Sequence, residues 1–197
     1  PAVGSTALAS NTAGDSSTPV GTSAGSYITS GSNNVAIGYQ AQGPNSTGSN
    51  QVRIGNADIT YAGVEVAWDI TSDRRLKSDI QESNLGLDFI TSLKPVSYSR
   101  IKDQTNKREY GFIAQEVEEA LNTFDASNSG IISISELGIY SVRYNDLFAP
   151  IVKAEQELNL KVNLLQIENE EQKLLIENLI RQNEELHLVN EQRLNDQ

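Results

Sequence analysis

The side chains that could do chemistry in this 197-residue sequence are few and unevenly placed. Cysteine is absent, which removes disulfides, thiolate nucleophiles and thiolate metal ligands together. His187 is the single histidine, leaving almost nothing for a zinc site. It falls on a polar helical face and reads as a solvated side chain. The stretch DASNSGIISISE at 125–136 has calcium-loop spacing: Asp125, Ser127, Ser129, Gly130, the Ile131 carbonyl, Ser133 and Glu136. Only Asp125 and Glu136 bring charge to it, and the residues after Glu136 read as strand rather than a second helix. A surface turn is the better reading, and no metal is assigned. Arg74, Arg75 and Lys77 form a basic cluster, but Asp73 and Asp79 offset it and no glycine-rich loop precedes it. Phosphate binding there is a weak reading.

The charge balance narrows the partners. Lys and Arg number 15 against 26 Asp and Glu, a net of −11. Such a chain lacks the basic footprint of a nucleic-acid binder and the attraction needed for anionic lipid. No apolar run of about 18 residues is present, so membrane insertion is not expected. Pro1 and the lack of a visible signal peptide read as a fragment or a processed chain. No cofactor is implied.

The elements that must position any site differ along the chain. Residues 1–50 carry one charged residue, Asp15, and are rich in Gly, Ser, Thr and Asn. A flexible linker has that composition, but this segment repeats. Val3-Gly4, Val20-Gly21, Ile37-Gly38 and Ile54-Gly55 recur in steps of 17, as do Ala7, Ala24 and Ala41, and Gly14, Gly31 and Gly48. In NNVAIG (33–38) and NQVRIG (50–55) the apolar residues alternate, the pattern of a short half-buried strand. Coils of this length bury too little to stand alone and must stack, so a β-solenoid is expected. The repeats resemble the head repeats of trimeric bacterial surface adhesins and segments of phage fibres. Over 56–71, Val64, Val66, Trp68 and Ile70 alternate with Glu65, Ala67 and Asp69, which predicts a connecting strand.

Residues 151–197 contain neither Pro nor Gly and keep a seven-residue apolar frame. Position d falls on Ile151, Leu158, Leu165, Gln172, Leu179, Leu186 and Arg193; position a on Glu155, Val162, Asn169, Ile176, Asn183 and Asn190. This predicts a coiled coil in which Asn at a sets register. Off-seam Leu160, Leu164, Ile167, Leu174 and Leu175 suit a wider, trimer-like interface. The residues between, 72–150, form a small α+β piece. A short helix is expected in LGLDFITSL (85–93), with Leu85, Phe89, Ile90 and Leu93 inward. Strands are expected at 96–101, 108–113 and 138–144, and a second helix at 114–124.

The strings TSDRRLKSDI (71–80), GLDFITSLKPVSY (86–98) and YGFIAQEVEEAL (110–121), followed by a helical C-terminus, resemble the intramolecular chaperone auto-processing domain. This self-cleaving, endosialidase-type module closes phage tail fibres, tailspikes and neck appendages, bacterial fibre-like proteins and a membrane-tethered eukaryotic regulator. The resemblance covers 72–197. It implies a homotrimer, with the preceding β-rich fibre as folding client, and release by a serine–lysine dyad whose matching positions are Ser72 and Lys77. The location it implies is a phage tail fibre or spike, or a bacterial surface appendage. The domains then read 1–71 repeats and connecting strand, 72–150 chaperone, and 151–197 trimeric coiled coil.

The chemistry fits that implication. A serine hydroxyl needs a positioned base, and lysine serves in known variants. The expected cut is the Thr71–Ser72 bond, with Asp73, Arg74 and Arg75 as modulators of the lysine. Helical spacing would place residues 72 and 77 about 140° apart, so a loop, or a lysine from elsewhere in the trimer, is expected. The alternative is a purely structural trimeric adhesin piece without peptidase activity. The receptor or glycan of a whole fibre is not legible.

Overall fold

The computed structural model describes residues 2–103, 105 and 107–195. It has the mixed class expected, with small sheets, short helices and one long C-terminal helix. In chain order the helices are α1 (Leu87–Ser92), α2 (Ala114–Thr123) and α3 (Phe148–Asn195). Two compact units are present: Pro1–Glu82 with Ser92–Leu147, and Ser83–Thr91 with Phe148–Gln197.

In the first unit, β1 (Thr18–Val20), β2 (Val35–Ile37) and β3 (Val52–Ile54) form a parallel three-stranded sheet in that order. Thr18 faces Val35 and Val35 faces Val52, so the 17-residue step of the sequence is the register of the sheet. Between strands the same step holds. The Thr12 amide donates to the Thr29 carbonyl, and the Thr29 amide to the Ser46 carbonyl, at 2.7 and 2.9 Å. The interior is narrow, filled by Ala24, Ala36 and Ala41 with Ile28. Asn34, also buried, is bonded at both ends of its amide: Nδ2 donates to the Gly48 carbonyl and Oδ1 accepts from the Gln51 amide. That use offsets the cost of burying an amide. Gly21 adopts φ +128°, and a Cβ there would lie 2.7 Å from the Gly38 carbonyl oxygen. Only glycine allows the layers to close that far.

The connecting strand expected over 56–71 is not present. This stretch joins no β ladder, and Val64, Val66, Trp68 and Ile70 are exposed. A strand needs a neighbour for its N–H and C=O groups. The last layered repeat ends at Gly55, so the chain offers no further layer for pairing.

Farther along this unit, β4 (Val96–Tyr98) pairs antiparallel with β5 (Glu109–Gly111), braced by Arg100 on Glu109 at 2.9 Å. Helix α2 buries Val117 and Leu121, an i,i+4 pair on one face, and packs on a hairpin of β6 (Ile132–Ile134) and β7 (Tyr140–Val142). The helix stops at Phe124, and Asp125 takes φ +54°. Strand β6 lies inside the stretch with calcium-loop spacing. There the Ile131 carbonyl accepts from the Arg143 amide, so this segment is spent on a hairpin.

The second unit is built on α3. Its first turn contains Pro150, tolerated because an N–H there has no intrahelical partner. Forty-eight residues make a rod of about 70 Å. Glu157 accepts from the Leu87 amide at 2.7 Å, at the start of α1. Gly86 makes room, since a Cβ there would overlap the Glu157 carboxylate. Leu85, Phe89 and Ala154 are buried. The heptad residues Ile151, Leu158, Val162, Leu165, Ile176, Leu179 and Leu186 are all exposed on the single chain.

Candidate active site

Ser72 follows the exposed 57–71 segment and precedes a short 3₁₀ turn, Arg74–Leu76. Asp73 starts that turn from extended backbone (φ −66°, ψ 131°), and its Oδ1 accepts from the Arg75 amide at 2.8 Å. This is the capping use of a short acidic side chain. The Leu76 amide closes on the Asp73 carbonyl, and the Lys77 amide on the Arg74 carbonyl, each at 3.1 Å. Lys77 then leaves in extended backbone (φ −121°, ψ 140°). One tight turn between two extended residues folds the chain back on itself. Lys77 Nζ donates to Ser72 Oγ at 2.6 Å.

The spacing that opposes the two side chains on an α-helix therefore brings them together here. A 3₁₀ turn has about three residues per turn, and only three residues use it. The distance is within reach for proton transfer between a serine hydroxyl and a base.

The neighbouring charges separate into roles. Arg75 forks Asp73, with Nη2 on Oδ2 at 2.6 Å and Nε on Oδ1 at 3.1 Å. The Arg75 side chain, and then its amide, hold the Asp73 carboxyl below the usual aspartate range. Asp73 in turn pushes Arg75 up. Arg75 thus has its charge matched locally by Asp73. Asp79 accepts from Gln81 Nε2 at 2.8 Å. Trp68, Ile70 and Leu76, close to the pair in sequence, are exposed.

Sequence reasoning missed the capping role of Asp73, which the string S-D-R-R-L carries as a short acidic side chain before a turn. It also missed Glu136 as an acceptor for Tyr27, because 109 residues separate the two. Among the described residues no cluster of three or more His, Cys, Asp or Glu could hold a metal ion. No helix of the described residues is long and apolar enough to cross a membrane.

Residues 72–125 match the family model for the chaperone of endosialidase. The matched segment opens on the serine of the close pair and runs through α2 to the turn that ends it. It supports an intramolecular chaperone domain of phage tail-fibre type over that stretch. The family model is named for a peptidase, in keeping with self-cleaving chemistry. No curated protein matches the chain.

Proposed function

We propose that this chain carries the C-terminal intramolecular chaperone of a homotrimeric fibre, and that it cuts itself at Thr71–Ser72 with Ser72 as nucleophile and Lys77 as base. The observation that carries the proposal is the 2.6 Å approach of Lys77 Nζ to Ser72 Oγ at the first residue of the matched segment. The neutral lysine takes the hydroxyl proton as Oγ attacks the Thr71 carbonyl carbon. The C–N bond then breaks, the proton passes to the Ser72 nitrogen, and an ester joins Thr71 to Ser72 Oγ. Water hydrolyses that ester to a Thr71 carboxylate. Attack by a neighbouring chain's pair is an equivalent route.

Two further features support the whole reading. The three-stranded sheet with its 17-residue register is what a β-solenoid fibre would need, with residues 1–71 as client. The exposed apolar seam of α3 and the exposed Trp68, Ile70 and Leu76, near the dyad in sequence, call for other copies of the chain. In a trimer those side chains would be covered by other copies, and the stretch that carries the pair would lose contact with water. Cutting would then follow assembly, and the setting would be a phage tail fibre or spike, or a bacterial surface appendage.

Intact mass after denaturation tests this. The wild-type chain should give fragments 1–71 and 72–197, and both Ser72→Ala and Lys77→Ala should stay whole. A cut that persists in Ser72→Ala rejects the nucleophile.

A further inference from the structure

The tip of the β6–β7 hairpin is built to present one carboxylate. The Ser135 amide donates to the Ile139 carbonyl and the Gly138 amide to the Ser135 carbonyl, at 3.0 and 2.9 Å. Ser135 Oγ also accepts from the Ile139 amide, and Gly138 adopts φ +72°, which closes the turn. Glu136 is held on that closed tip, outside the segment matched by the family model. It reaches residues that precede the scissile bond by 24 positions or more. Tyr27 Oη donates to Glu136 Oε2 at 2.9 Å, and the Glu136 amide donates to the Pro44 carbonyl, also at 2.9 Å. Ser46 lies near enough to the same carboxylate to lower it, with Tyr27 acting the same way, while the Thr47 amide donates to Asn45 Oδ1. A second tie crosses the cut as well, with Lys102 Nζ on Asp58 Oδ1 at 2.5 Å.

We infer that the hairpin tip is a docking element for the 44–47 loop and Tyr27 of the repeats, and that it keeps the two parts of the chain together after Thr71–Ser72 is cut. Cleavage alone then does not release the chaperone. The partner chemistry is a phenol that donates to the carboxylate, a peptide carbonyl that accepts from the Glu136 amide, and Ser46 close by, which together suit a single carboxylate on a turn. The contact is polar and open. A cleft of about 790 Å³ runs beside it, lined in part by Pro44, Ser135 and Leu137. Glu136 is exposed and Tyr27 is 37 % exposed, so water can compete for every bond. Such a contact holds without becoming permanent, unlike an apolar interface. Only the retention step rests on the self-cleavage reading; the docking contact stands without it.

Two measurements separate these. In the uncut Ser72→Ala chain, hydrogen exchange at the Ser46 and Glu136 amides is followed with and without Glu136→Ala. The docking contact predicts exchange faster by about tenfold, the scale of one charge-assisted bond; unchanged exchange overturns it. Tyr27→Phe, which keeps the ring, should give a smaller change in the same direction. In the wild-type chain, fragments 1–71 and 72–197 should co-elute on a native sizing column and separate in the Glu136→Ala, Lys102→Ala double variant. Separation in the wild type overturns retention. A wild-type chain that is never cut rejects the self-cleavage reading and leaves the exchange result to decide docking.

Discussion

Asp73 does two things at once, and the two can be separated by substitution. Its Oδ1 caps the 3₁₀ turn through the Arg75 amide, while its carboxylate charge answers the Arg75 guanidinium. Asp73→Asn keeps a cap acceptor and loses the charge; Asp73→Ala loses both. Loss of a cap costs about 1 kcal/mol, so Asp73→Ala should slow cutting about fivefold in a mass-monitored time course, with Asp73→Asn nearer wild type. Lys77→Arg should abolish the cut although it preserves a positive donor, because guanidinium does not give up its proton in proteins. The pair itself was legible in the sequence only through its resemblance. Simple helical spacing sets the two side chains apart. What joins them is the extended backbone at Asp73 and Lys77, flanking three turn residues. No periodic pattern records such a turn.

At the level of elements, legibility followed the origin of each pattern. The strands at 18–20, 35–37 and 52–54 show in a repeat, because each layer must present the same residues to the next. Helix α2 shows as an apolar i,i+4 pair, and α3 as a seven-residue apolar frame with polar residues at some a and d positions. The alternation at 64–70 has the same appearance as a strand, yet it pairs with no strand among the described residues. Alternation reports one buried face, not who covers it. Strand β6 was hidden by its likeness to a calcium loop. The hairpin it forms also has a pH signature. The Ser46 amide, then Tyr27, lower the Glu136 carboxyl, so its contribution is present above the ordinary glutamate range and is lost as pH falls through the lowered folded-state value. The Ser46 amide resonance should therefore shift with an inflection below the ordinary glutamate range, and Glu136→Gln should remove that inflection. Glycines in the two sheets should differ too. Gly21→Ala sets a Cβ against backbone at positive φ and should cost about 1–3 kcal/mol, whereas Gly138→Ala meets open space and carries only the left-handed penalty of about 1 kcal/mol. Thermal midpoints of the two variants check the order.

For the molecule as a whole, the exposed apolar side chains along α3 and near Ser72 in sequence set the assembly expectation. Light scattering at micromolar concentration should give three chains; a monomer would leave the seam residues Leu158, Val162 and Leu165 in water and would reject the coil reading. Removal of 151–197 before folding should leave aggregated repeats, since parallel pairing across layers is slow and needs its strands held close. The sheet register has one further consequence. Every layer is 17 residues long, and adjacent strands stand about 4.8 Å apart. The coding length of the N-terminal segment is therefore a ruler with fixed graduations. Excising residues 22–38 joins Gly21 to Tyr39, with Gly21 taking the place Gly38 holds now, and should shorten the stack by one graduation with every later side chain still facing its own way. Excising 16 or 18 residues from the same point instead leaves the following layer out of step, and Ala41 and Gln51, the later counterparts of Ala24 and Asn34, would turn outward. Insertions and deletions that survive in this region should come in whole multiples of 17.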